Sequence, residues 1–129
     1  MIAIGIDPGN TVGIAILGHG YVEFYSIVWH EFRQFIEQDV PEGLLWVVER
    51  GPQHSTAIQS LLEAETCRLA PANDLVWISP GLWKPVVKAR WGFHPEARNQ
   101  HERDAYALLQ YHFNLTLMLD LDFVPKMED

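Results

Sequence analysis

Basic residues are scarce in this 129-residue chain: nine lysines and arginines stand against 17 aspartates and glutamates, for a net charge of −8. That balance excludes a protein coated in positive charge that would hold nucleic acid mainly through its surface potential. Cys67 is the single cysteine, so no internal disulfide can form. It falls in a helical pattern, where burial as a small hydrophobe is the expected role. No apolar run approaches the roughly 20 residues of a membrane span, and no basic flank precedes the apolar start. A soluble, cytoplasmic protein without a membrane partner is expected. Repeats, low-complexity stretches and dividing linkers are also missing. What the chain does have is 48% hydrophobic and 12% aromatic content, enough for the core of a single domain over residues 1–129, with a flexible tail at about residues 120–129.

The order of periodicities is that of an α/β fold. Residues 2–7 form a nearly all-apolar run, the mark of a central strand. Residues 12–17 and 21–28 follow, joined by Gly18, His19 and Gly20, and read as a hairpin. Trp29, Phe32, Phe35 and Ile36 take helical spacing over residues 29–38. Residues 44–49 are a fourth strand, and the strand-helix-strand order favours a parallel crossover that sets it beside the first. Ser55 or Thr56 caps a helix to about Leu69, residues 75–78 make a fifth strand, and residues 79–100 have little regular periodicity. A last helix runs from His101 to about Met118.

Two of these strands stop abruptly on an acid. The first ends on Asp7, before Pro8, Gly9 and Asn10, and the fourth on Glu49, before Arg50 and Gly51. The last helix opens on His101, Glu102, Arg103 and Asp104, where His101 and Asp104, three apart, share a face. Acids at strand ends are poor core material, and carboxylates with some imidazole suit hard cations such as Mg²⁺ or Mn²⁺. Each acid alone can also be read as a cap, a turn former or a solvated charge, and for Asp7, before Pro8 and Gly9, that reading is equally good.

Taken in order, GIDPGNTVGIAIL, VVERGPQHSTAIQSLLEAE and HERDAYALL resemble the motifs of RuvC-type Holliday junction resolvases, members of the RNase H-like nuclease superfamily. The first motif is shared with the sugar kinase, actin and Hsp70 ATPases, but 129 residues leave no room for their second phosphate-binding lobe. The resemblance implies an RNase H-like α/β fold, a five-stranded mixed sheet with its first three strands antiparallel, flanked by helices. It implies a crossover junction endonuclease of DNA recombination and repair, working with two Mg²⁺ ions per site, for which Mn²⁺ substitutes. The implied catalytic and metal-binding set is Asp7, Glu49, His101 and Asp104, with Asp7 bridging both ions and His101 a ligand or a positioner of water. A homodimer carrying two sites is implied by the two symmetric cuts that a four-way junction requires. A nuclease for RNA:DNA hybrids or other branched DNA, and a non-catalytic junction-binding module, are the alternatives.

The scarce cations are unevenly spread. Residues 84–103 hold Lys84, Lys88, Arg90, Arg98 and Arg103 against Glu96 and Glu102, a local +3 that leaves −11 for the rest. Lys84, Lys88 and Arg90 interleave with Trp83, Trp91 and Phe93, a mixture suited to phosphates and unstacked bases, although tryptophans are as readily core residues. Arg50, His54 and Asn10 complete the expected DNA contacts. His54 stands where family members carry an aromatic residue thought to open the junction. The chain is shorter than typical bacterial relatives between Lys88 and His101, and compact relatives occur in bacteriophages. The apolar side of the helix after Pro52 serves either a dimer interface or the core.

Overall fold

The computed structural model describes residues 2–51, 57–71, 74–90 and 94–117, with residues 86–90 and 114–117 described as backbone only. In chain order the elements are β1 (Ala3–Asp7), β2 (Thr11–Leu17), β3 (Val22–Val28), a 3-10 turn (Trp29–Glu31), α1 (Phe32–Asp39), β4 (Leu45–Glu49), α2 (Ala57–Leu69), β5 (Leu75–Ile78), α3 (Pro80–Arg90) and α4 (Gln100–Leu117). The strands form one mixed sheet in the order β3-β2-β1-β4-β5. β1, β2 and β3 pair antiparallel, whereas β4 runs parallel to β1 and β5 parallel to β4. Gly20 makes the β2–β3 turn with φ +82°, which costs a glycine little, and the Gly18 N–H donates to the Tyr21 carbonyl.

The two faces of the sheet differ in bulk because side chains alternate along each strand. Ile4 and Ile6 of β1, Val12, Ile14 and Ile16 of β2, and Trp46 and Val48 of β4 face one way, packed with Phe32 and Ile36 of α1 and Leu62 of α2. The opposite face is built on Ala3, Ala15, Leu17 and Val47, under Ala105, Tyr106, Leu108 and Leu109 of α4 and Trp83 of α3. Small residues on this side let α4 lie close to the strands. A Cβ on Gly13 would stand 2.0 Å from the His101 carbonyl oxygen, and one on Gly5 2.2 Å from that of Ala105. Only glycine fits under the helix at these two places.

Several sequence expectations are corrected. Residues 80–90 form α3 within a stretch that has little regular periodicity; Gly81 and Pro85 blur the pattern, and Leu82 is exposed while Trp83 is buried. The segment over residues 29–38 divides into the 3-10 turn and α1, with the Trp29 N–H donating to the Asn10 carbonyl. Cys67 is exposed rather than buried. The expected caps Ser55 and Thr56 and the tail at residues 120–129 lie outside the described residues. Among the described residues, no helix is long and apolar enough to cross a membrane.

Candidate functional site

Strand register puts one row of residues across the sheet. Ser26 of β3 is opposite Gly13 of β2, Gly13 is opposite Asp7 of β1, and Glu49 of β4 is opposite Ile78 of β5. Ile6 pairs with Val48, so one step on Asp7 and Glu49 lie side by side, at the roughly 4.8 Å spacing of neighbouring strands. Both acids follow a residue of the bulky face, which turns them toward α3 and α4. Both are buried, and the Glu49 charge acts on Asp7. The row lies at the carboxyl ends of the parallel strands, where open α/β sheets generally present their ligand sites.

The first turn of α4 lies along this row. The His101 backbone rests on Gly13, and its Nδ1 stands 3.7 Å from the Asp7 Oδ2. Asp104, one turn further, is near enough for its charge to act on both Asp7 and Glu49. Its Oδ1 accepts a hydrogen bond from the Gln100 amide. Among the described residues, no group of three or more His, Cys, Asp and Glu side chains stands ready to enclose an ion.

Glu102 points the other way. It is fully buried, accepting hydrogen bonds from the Ser26 hydroxyl, the Arg98 guanidinium and backbone N–H, and the Asn99 amide. Asn99 caps the helix in return, its Oδ1 accepting the Glu102 N–H at 3.0 Å. This reciprocal pair fastens the start of α4 to the β3 edge, where Arg98 also donates to the Phe24 carbonyl. Burial works against the Glu102 charge, but hydrogen bonds from Arg98 and Ser26 hold its carboxyl below the ordinary 4.5. The stability it lends is therefore present above pH 4.5 and lost as the solution is acidified through its folded pKa. Glu102→Ala is expected to cost about 2 kcal/mol in a urea melt at pH 7 and to flatten the acid limb of the stability profile.

The two strand-end acids have the reverse electrostatics. Burial most of all, then the Glu49 and Asp104 charges, pushes the Asp7 pKa up to about 8. Burial also raises that of Glu49, opposed by a hydrogen bond from the Trp83 indole N–H to Oε2 at 2.9 Å and by Lys84. Crowded carboxylates of this kind keep a proton unless a cation replaces it. Lys84 is exposed, 5.5 Å from the Trp83 ring centroid, and acts on both acids from the rim.

The expected DNA contacts divide. Lys84, Arg50 and Asn10 are exposed at this end of the sheet, with Arg50 stacked 5.5 Å from the Trp77 ring centroid. Lys88 and Arg90 lie on α3, their side chains beyond those described, and His54, Trp91 and Phe93 lie outside the described residues. Trp83 is core rather than a base-stacking surface, at 3% exposure. Sequence reading did not foresee its bond to Glu49, nor the seat formed by Gly13 and Ser26. Two signals were there: the small-residue alternation in Ala3, Gly5 and Asp7, and the capping pattern from Asn99 to Glu102. Compared with protein-family profiles, curated proteins and solved structures, the chain matches none.

Proposed function

We propose that this chain is a divalent-metal-dependent endonuclease of RNase H-like fold that cuts branched DNA, with the four-way junction as its substrate. The observation that carries the reading is the row of Asp7 and Glu49 under the first turn of α4, which brings His101 and Asp104 close to two buried acids. Asp7, Glu49 and Asp104 would hold Mg²⁺ or Mn²⁺, with His101 as a further ligand or water partner. The donor set fits: three carboxylates and an imidazole suit hard cations, and the acids repel one another until positive charge arrives. Asp104, hydrogen-bonded to Gln100, would have to turn from that partner to serve as the third carboxylate.

Bound divalent ions supply a hydroxide-like water and neutralise charge on the phosphate as the P–O bond breaks. The chain's own groups do the rest. Asp7 gives up its proton as cation binds, so affinity rises with pH up to about 8. His101, at the exposed side of Asp7, is placed to orient the attacking water. Lys84 meets the phosphate at the rim, and Asn10 and Arg50 flank the strand ends. A homodimer would carry the two sites that paired cuts require.

A cleavage assay with Mg²⁺ tests the reading, comparing a four-way junction, a linear duplex and an RNA:DNA hybrid. Symmetric nicks in the junction, absent with chelator, are expected. Preferential cutting of the hybrid would redirect the substrate. Equal junction binding with and without divalent ions, with no nicking at all, would leave a binding module.

A further inference from the structure

We infer that Trp83 is a positioning residue for Glu49, holding that carboxylate in the orientation an ion requires; the inference rests on the metal-site reading above. The Trp83 indole nitrogen donates to the Glu49 Oε2 at 2.9 Å from a side chain that is itself 3% exposed. An indole N–H is donor-only and uncharged. It occupies one lone pair of the carboxylate and leaves the others to Asp7 and to an ion. A lysine in its place would bring a positive charge that competes with the cation.

The backbone route to this contact is short and stiff. Glu49 is opposite Ile78 in the β4–β5 ladder, and the next amide, of Arg50, donates to the Ile78 carbonyl at 2.8 Å. Pro80 opens α3 two residues later, its ring fixing φ at the first helical position, and the Leu82 N–H donates to the Ser79 carbonyl. Trp83 therefore reaches back over the end of β4 from a helix tied to the same ladder. A buried indole commonly finds some acceptor. Here the acceptor is a strand-end acid whose neighbour along the row is Asp7.

Partners that orient metal ligands typically change affinity by about 10- to 100-fold when removed. Trp83→Phe keeps most of the ring and deletes the donor. Calorimetric titration of the full chain with Mn²⁺ is expected to show about tenfold weaker binding in W83F, with a cooperative metal-free melt retained. Junction cutting should then need more Mg²⁺ to reach the same maximal rate. Parental Mn²⁺ affinity in folded W83F overturns the Trp83 inference alone, whereas a parent chain that binds no Mn²⁺ overturns the metal-site reading and this inference with it. If W83F does not fold, ¹⁵N-labelled parent protein gives the answer. The indole N–H resonance displaced by Glu49→Gln should also move as Mg²⁺ is titrated into the parent, and indifference to Mg²⁺ overturns the inference.

Discussion

Asp7→Asn should melt higher than the parent at pH 8 in the absence of divalent ions, and should lose nearly all cleavage. Folding buries Asp7 beside Glu49 and raises its pKa from 3.8 to about 8. Between those values the folded chain carries a proton that the unfolded chain has released, so the Asp7 contribution to stability falls as pH rises through this window. Below about pH 4 both states are protonated and the penalty vanishes. Asparagine has no proton to lose, so the variant escapes the penalty. At pH 8 the gain should be on the order of 2–4 kcal/mol, or roughly 10 °C in Tm, shrinking to near zero below pH 4. Calorimetry with chelator at both pH values measures it. Adding Mg²⁺ should raise the Tm of the parent and not of the variant, since only a group that binds the folded state stabilises it. Cleavage should fall by about 10³-fold or more, because several kcal/mol of charge stabilisation leave with the carboxylate. A variant that melts lower at pH 8 and cuts normally would remove Asp7 from the site.

Gly13→Ala should be the most damaging single-methyl addition in the sheet. The new Cβ would lie 2.0 Å from the His101 carbonyl oxygen and 2.3 Å from its carbonyl carbon, both backbone atoms of a helix fastened at its start by Glu102. No flexible side chain is there to move aside, so α4 must lift or β2 must bend. The cost should be about 3 kcal/mol or more, with Tm falling by roughly 10 °C. Because the same contact sets the height of His101 and Asp104 over Asp7, a surviving fold should bind Mn²⁺ more weakly than the parent. Gly81→Ala is the control. It lies in α3, where an added methyl would meet nothing within 4 Å, so alanine should be neutral or stabilising by about 0.5–1 kcal/mol. Equal melting of G13A and the parent in urea would mean that α4 does not rest on β2.

How legible the protein was depended on whether the signal was local. The strands over residues 3–7, 11–17, 22–28 and 45–49 could be read because apolar runs end at turn residues or acids, and the β2–β3 hairpin because Gly18 and Gly20 bracket its turn. Helix α4 was readable from its apolar spacing; it begins one residue earlier than expected, at Gln100, and its expected end at Met118 lies outside the described residues. Helix α3 was not, because it carries Gly81 and Pro85, both poor helix residues. Cys67 was misjudged because helical periodicity alone does not say which side of α2 meets the sheet.

Strand ends on acids, three motifs in a set order and the alternation of large with small side chains are properties of neighbouring residues, so they can be read along the chain. Together they imply a layered α/β fold with Asp7 and Glu49 at strand termini. Distances between segments come from packing. Ladder register aligns Ser26, Gly13, Asp7, Glu49 and Ile78, two glycines admit α4 to backbone contact, and Trp83 returns from α3 to Glu49. Each depends on partners tens of residues apart, whose proximity is decided when the whole core closes and water leaves the two acids.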